Sequence, residues 1–259
     1  MTMVDLQSEI VDHGQPIDKV GVKGLRYPIT VMDKRNRRQT TVAEIDIHVS
    51  LPSHFRGTHM SRFIEIFDRY REEFSRKKLR EMLNETKARL QAESAWITIA
   101  FPYFIMKSAP VTGLGSLMSY DCILTARLDL NDNFEQVIDV SVPVMNLCPC
   151  SKEISQYGAH NQRSHVTVRV ASSKLVWIED IVEVVESCAS SPVYSLLKRQ
   201  DEKYVTEHSY EQPRFVEDIV REIAMKLGAW PDLEYFSIDA ENYESIHNHN
   251  AHAFLERRL

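Results

Sequence analysis

The stretch Leu147-Cys-Pro-Cys-Ser-Lys-Glu-Ile-Ser-Gln-Tyr-Gly-Ala-His160-Asn-Gln-Arg-Ser-His165 lies between two alternating apolar runs, Ile138 to Val144 and His165 to Val170. Period-two alternation marks half-buried strands, so the stretch reads as the connection between two of them. It carries two of the four cysteines, Cys148 and Cys150, and two histidines, His160 and His165. Thiol, imidazole, carboxylate and amide groups held between strands are a common setting for chemistry. The plainer reading is a polar loop with a buried thiol, because cysteine often behaves as a small hydrophobe. Two thiols beside two imidazoles weigh against it.

Upstream, Leu25 to Met32 is a candidate first strand. Thr41 to Leu51 is clearer, with Ala43, Ile45, Ile47, Val49 and Leu51 on one parity and Glu44, Asp46, His48 and Ser50 on the other. Pro52 to Gly57 breaks this run. Thr58 can cap a helix with Met60, Phe63, Ile64 and Phe67 at helical spacing. A second helix starts near Ser75 and carries Leu79, Met82, Leu83 and Leu90. Strands through Ile97–Tyr103 and Cys122–Leu130 follow.

Downstream the order repeats. The strands flanking the quoted stretch are followed by a helix through Ile178, Ile181, Val182 and Val185. A second, from Val216 to Leu227, is entered through Pro213 and stopped at Gly228. Leu233 to Ala240 and His249 to Leu255 close the chain as strands. Each half reads strand-strand-helix-helix-strand-strand, a repeat of pattern and not of identity. Sequential strands on short connections predict an α+β fold, antiparallel sheets with helices packed on one face. The expected organisation is a polar N-terminal arm over 1–17, a first half over 18–131, and a second half over 132–259 with most of the catalytic residues. The seam falls at the turn-like cluster Asn131-Asp132-Asn133.

The 259 residues are 43% hydrophobic and 26% charged, the composition of an ordinary globular chain. A net charge of -6 argues against a general nucleic-acid binder, though not against a local pocket for a phosphorylated small molecule. No apolar run approaches the ~20 residues needed to span a bilayer, so no membrane partner is expected. Residues 1–16 carry acids and no apolar core, unlike a signal peptide. Four cysteines do not make a disulfide framework in a chain of this size. Reduced thiols and a cytoplasmic location are expected.

Several groups are candidates for chemistry. C-x-C is not the spacing of a zinc knuckle, and no second pair exists, so a four-thiolate structural zinc is not expected. One thiolate, His160 and a remote carboxylate would make a three-ligand site with an open position. The run Glu244-Ser-Ile-His247-Asn-His249-Asn-Ala-His252 would place His247 and His249 on one face of an extended chain, and His252 on the other. Its bland alternative is a solvated, histidine-rich tail. Asp201-Glu202 and Glu217-Asp218 are the remaining acids. Glu217 lies four residues before Arg221, so a surface ion pair would account for it without function. Gly57-Thr-His-Met-Ser-Arg62 opens a helix, a setting that suits an anion or an ordinary cap. Arg62, Lys107 and Arg163 are candidates for an anionic tail.

Taken together, these stretches resemble the type IB GTP cyclohydrolases, bacterial enzymes of folate biosynthesis. The resemblance rests on Val20-Gly-Val-Lys-Gly-Leu-Arg-Tyr-Pro-Ile, Gly57-Thr-His-Met-Ser-Arg-Phe, the segment from Asn146 to His165, Asp201-Glu-Lys-Tyr-Val-Thr-Glu207, Phe215-Val-Glu-Asp218 and Glu241-Asn-Tyr-Glu-Ser-Ile-His-Asn-His249. It covers the chain from about residue 18 onward. It implies a tandem tunnelling fold, a homotetramer with active sites at its interfaces, and a metal-dependent conversion of GTP and water to 7,8-dihydroneopterin triphosphate and formate. One divalent ion per site (zinc, manganese or iron) is implied.

Within that resemblance Glu217 matches the glutamate that anchors the base. Cys148, His160 and Glu202 are assigned to the metal, with Cys150, Glu244, His247 and His249 as the acid–base or nucleophilic set. Arg62 and Arg163 join Glu217 as substrate-binding candidates. A Cys148–Cys150–His160 ligand triad, with Glu202 behind it, is the rival within the site. Two further readings compete. One is a tunnelling-fold nitrile reductase with a cysteine nucleophile and NADPH. The other is a non-catalytic metal-binding protein.

Overall fold

The computed structural model describes residues 14–259. Residues 1–13 of the expected arm lie outside the described residues, and the first strand, β1 (Ile17–Asp33), already begins at Ile17. The remaining elements of the first half are β2 (Arg37–Leu51), α1 (Met60–Tyr70), α2 (Arg76–Leu90), β3 (Ala95–Ser108) and β4 (Gly115–Leu128). Then come β5 (Phe134–Leu147), α3 (Pro149–Ile154), β6 (Asn161–Ser172), α4 (Ile178–Glu186) and the two-residue β7 (Ser191–Pro192). The chain closes with α5 (Arg199–Glu211), α6 (Val216–Gly228), β8 (Leu233–Asn242) and β9 (Ala251–Arg258). The strand-strand-helix-helix-strand-strand order holds in both halves, with α3, β7 and α5 added to the second. No helix among the described residues is long and apolar enough to cross a membrane.

Contacts divide the described chain into two compact units. One contains residues 14–101 and 123–137, the other 102–122 and 138–259, so the outer part of the β3–β4 hairpin belongs with the second half.

In the first unit β1, β2 and β3 pair antiparallel, with Ile45 opposite Ile99 and Ile47 opposite Ile97. The predicted parity is the buried one: Ala43, Ile45, Ile47, Val49 and Leu51 are all core residues. The glycines of the Val20–Gly24 run serve the backbone. Gly24 has φ +69, open to glycine at little cost, beside a register shift in the β1–β2 ladder, and its N–H donates to Asp46 Oδ1 at 2.8 Å.

Two expectations about α1 need correction. Its N-cap is His59, without a side-chain cap bond, rather than Thr58. Its buried face is Phe63, Ile66 and Phe67, while Met60 and Ile64 are exposed. At ~100° per residue Ile64 and Ile66 flank the direction set by Phe63 and Phe67 equally, so the local spacing does not choose between them, and the packing of the helix buries Ile66. Helix α2 matches expectation. Ser75 caps it by accepting from Lys78 N–H, and Leu79, Met82, Leu83 and Leu90 are buried.

In the second unit β5, β6, β8 and β9 pair antiparallel in that order, and β7 adds to β5. Val140, Val142 and Val144 of β5, Val166, Val168 and Val170 of β6, and Phe236, Ile238 and Ala240 of β8 are all buried. So are Ile181, Val182 and Val185 of α4 and Ile219, Val220, Ile223 and Leu227 of α6. Each large aliphatic side chain in this core contributes about 1.5–3 kcal/mol by leaving water. The outcome is the α+β class read from the sequence, with helices on one face of the sheet.

Candidate active site

The apolar face of the second unit ends in polar rows. Val142, Val166 and Ala240 lie opposite one another across β5, β6 and β8. The next row is Val144, Ser164 and Asn242; beyond it Asn146 faces Gln162. Pairing continues past the strand ends, where Cys148 N–H donates to His160 O at 3.1 Å and Tyr243 N–H to Arg163 O at 3.0 Å. Side chains two residues apart on a strand share a face. Cys148 therefore follows Asn146, His160 precedes Gln162, and Glu244 follows Asn242, all at one end of the core.

Asn146, Ser164 and Asn242 form a closed, buried network. Asn146 Nδ2 donates to Ser164 Oγ at 2.7 Å and to Asn242 Oδ1 at 3.1 Å, and Ser164 Oγ donates to Asn242 Oδ1 at 2.6 Å. Ser190 joins it: its N–H reaches Asn146 Oδ1 at 3.4 Å and its Oγ accepts from Leu147 N–H at 3.1 Å. Fully satisfied buried networks specify a single arrangement. This one locks the three strand ends that carry Cys148, His160 and Glu244.

Cys148 is the N-cap of α3, its Sγ accepting from Ser151 N–H at 3.5 Å, and it is half-buried. Ser151 Oγ bonds to Cys148 O at 3.2 Å and accepts from His160 N–H at 3.1 Å, closing the connection on itself. Cys150 is exposed within α3. His160 Nδ1 stands 3.0 Å from Gln162 Oε1 and 3.9 Å from Glu244 Oε2. Gln162 Nε2 lies 3.5 Å from Glu244 Oε1. His247 and His249 stack with ring centroids 5.1 Å apart, both exposed in the β8–β9 connection; β9 itself starts at Ala251, not at His249. His252 points elsewhere, to Asp239 at 3.2 Å.

Glu202 is exposed on α5, a helix for which the sequence carries no clear apolar stripe. Its neighbour Asp201 is structural. The Asp201 carboxylate accepts from Val111 N–H, Thr112 N–H, Thr112 Oγ1 and Lys198 N–H, all within 2.9 Å. Burial pushes Asp201 up, but the hydrogen bonds from Thr112, Lys198 and Val111 outweigh it and bring it to about 2. A carboxyl depressed in the folded state adds stability above its unfolded pKa and loses it as pH falls through the folded value. Asp201→Asn is therefore expected to flatten the fall in melting temperature between about pH 4 and pH 2, measured by calorimetry across that window. An unchanged slope would refute the assignment.

Glu217 sits in the first turn of α6, exposed, and forms no ion pair among the described residues. Arg221 instead reaches Asp218 at 3.8 Å. Asp218 Oδ2 also accepts from Phe215 N–H at 3.1 Å, so the cap and the surface pair both belong to Asp218. Arg163 is exposed on β6. Arg62 lies in the first unit, where its Nη1 donates to Arg89 O at 3.0 Å. Lys107 lines a cavity of about 580 Å³ in the second unit with Tyr120, Glu183, Glu186 and His208. Burial lowers its pKa; Glu186 at 2.5 Å and Val193 O at 2.8 Å hold its ammonium.

The donor types fit a divalent ion. An Oε1 acceptor against Nδ1 leaves His160 Nε2 with a lone pair for a ligand, the usual arrangement behind a metal-binding histidine. Cys148 adds a half-buried thiol on the paired segment. Within the single chain, no three His, Cys, Asp or Glu side chains among the described residues converge to metal-binding distance. The structure thus brings Cys148, His160 and Glu244 to one sheet end, and leaves Glu202, Glu217, His247 and His249 on exposed surfaces. Sequence reading assigned no role to Gln162, Asn146, Ser164 or Asn242. The available signal was a polar residue on the buried parity of a strand.

The architecture is that of the tunnelling fold. Solved urate oxidases share it: a uricase from Bacillus fastidious has a TM-score of 0.60 at 8% identity, covering 93% of each chain. Urate oxidase from Bacillus sp. TB-90 has a TM-score of 0.54 at 9% identity, covering 94% of this chain and 100% of its own. At these identities the likeness concerns the fold alone. The family follows from sequence: residues 3–253 match the model described as type I GTP cyclohydrolase folE2, and the chain belongs to that family. GTP cyclohydrolase FolE2 of Geobacter sulfurreducens is 55% identical over 255 residues, covering 98% of both chains. The protein of the same name from Syntrophobacter fumaroxidans is 51% identical, covering 98% of this chain and 99% of its own.

Proposed function

We propose that this protein is a GTP cyclohydrolase that converts GTP and water to 7,8-dihydroneopterin triphosphate and formate, opening tetrahydrofolate biosynthesis. The family match over residues 3–253 carries this reading. The polar sheet end supports it, because the match includes every residue assembled there.

The reaction hydrates C8 of guanine, opens the imidazole ring, releases formate, and rearranges and recloses the ribose carbons as a pterin. Several proton transfers are required, so several acid–base groups must line the site. Cys148, His160 and Glu202 would hold one divalent ion, zinc, manganese or iron. When bound, such an ion supplies Lewis acidity for the hydration step. Glu244, seated beside His160, and the His247–His249 pair carry protons to and from the opening ring. Cys150 provides an exposed thiol at the same end as an acid–base or nucleophilic group. Glu217 binds the guanine edge, while Arg62 and Arg163 meet the triphosphate.

The exposed positions of Glu202, Glu217 and the histidine pair fit a site completed at an interface between copies. β1 pairs only with β2, and β9 only with β8, among the described residues. Open edges favour pairing with another chain, and we assign the assembly as a homotetramer. Reduced thiols and a GTP substrate suit the cytoplasm.

Purified protein incubated with GTP and Mn²⁺, Zn²⁺ or Fe²⁺ should yield a pterin that fluoresces after oxidation, with one formate for each GTP consumed. Sedimentation of the same sample should give an active tetramer. Silence with GTP under all three metals, or NADPH consumption with a deazapurine nitrile, would overturn the reading.

A further inference from the structure

We propose that Gln162 is the positioning residue that fixes His160 and Glu244 relative to each other. The inference rests on the metal-site reading of His160 above and extends it to a residue with no assigned role.

Three observations carry it. Gln162 is only 7% exposed, on the parity of β6 that otherwise buries Ser164, Val166, Val168 and Val170. A buried amide needs partners, and its two polar atoms face two functional groups. Oε1 is 3.0 Å from His160 Nδ1, and Nε2 is 3.5 Å from Glu244 Oε1. Finally, Gln162 pairs with Asn146 across the ladder and stands one row beyond Asn146–Ser164–Asn242, whose members are at most 3% exposed. The amide is therefore held against a rigid floor.

The chemistry of the amide explains the choice of residue. A carboxamide oxygen only accepts, so the contact with His160 requires the proton on Nδ1 and leaves Nε2 as the ligand atom. The same side chain's NH2 only donates, so it turns one oxygen of Glu244 toward itself and leaves Oε2 facing the imidazole. No hydrocarbon can do either. A carboxylate can accept from Nδ1–H but would repel Glu244. A glutamine at 162 thus sets the His160 tautomer and the Glu244 rotamer together.

The test uses Co²⁺ as the metal probe on the full-length protein, with dissociation constants and the visible ligand-field spectrum as readouts besides activity. Gln162→Met, close in volume, is expected to weaken Co²⁺ binding about 10–100-fold and to shift the ligand-field bands, with unfolding temperature monitored in parallel. Gln162→Glu keeps the acceptor for Nδ1–H, so it should stay within about threefold of wild type in Co²⁺ affinity. It should nevertheless lose turnover, because Glu244 is displaced. A purely structural role predicts the opposite order, with the charged variant the worse binder. Wild-type Co²⁺ affinity and spectrum in Gln162→Met would overturn the proposal, as would Gln162→Glu binding Co²⁺ no better than Gln162→Met. His160→Ala separates the two levels. If it binds Co²⁺ as wild type does, the metal-site reading fails and this inference with it. If it loses Co²⁺ while Gln162→Met does not, the inference fails alone.

Discussion

His160→Ala, Cys148→Ala and Glu202→Ala are each expected to lose bound metal and to reduce GTP turnover by at least ~10³-fold, the combined scale of metal and acid–base contributions. Cys150→Ala should lose activity yet keep its metal. The geometry favours this division between the two thiols. Cys148 caps α3, is half-buried, and shares a backbone pair with His160. Cys150 stands exposed on the helix itself. Soft thiolate, imidazole and carboxylate together suit a borderline ion. Metal analysis of the four purified variants decides. Full occupancy in Glu202→Ala, or an empty site in Cys150→Ala, would favour the Cys148–Cys150–His160 triad instead.

Glu217→Ala is expected to lower kcat/KM for GTP by about 10²–10⁴-fold, the scale of two hydrogen bonds to a charged acceptor. Its carboxylate can take the N1–H and exocyclic amine of guanine as a pair. Folding should be almost unaffected, because the side chain is exposed and no ion pair depends on it. The surface-pair explanation with Arg221 has lost its partner, since Arg221 reaches Asp218. Arg221→Ala therefore serves as the control and should leave kcat/KM within about twofold of wild type, as surface changes away from a site usually do. Normal GTP turnover in Glu217→Ala would remove Glu217 from the base-binding role.

Much of the fold was legible locally. Strand parity at 43–51, 138–144 and 166–170, and the faces of α2, α4 and α6, follow from periodicities that each segment carries by itself. The resemblance likewise rests on contiguous motifs. Other features left weaker local traces. Helix α5 buries only Asp201 and Ser209, so there is no apolar stripe for a 3.6-residue period to find. Helix α3 is six residues long, too short for a pattern. The inward face of α1 depends on where Phe63 and Phe67 meet the sheet, which shifted burial from Ile64 to Ile66.

The site separates along the same line. By itself the sequence determined which groups are available: the thiols Cys148 and Cys150, the imidazoles His160, His247 and His249, and the acids Glu202, Glu217 and Glu244. It also determined the apolar alternation that puts strands around them. Only the tertiary structure decided which of them meet. Gln162 and Glu244 are 82 residues apart, and Asn146 and Asn242 are 96 apart. Their contacts exist because the β5–β6 and β6–β8 registers align one end of three strands. Register is a property of paired strands. Periodicity within one strand says which face a residue takes, and it carries no information about which distant residue lies opposite.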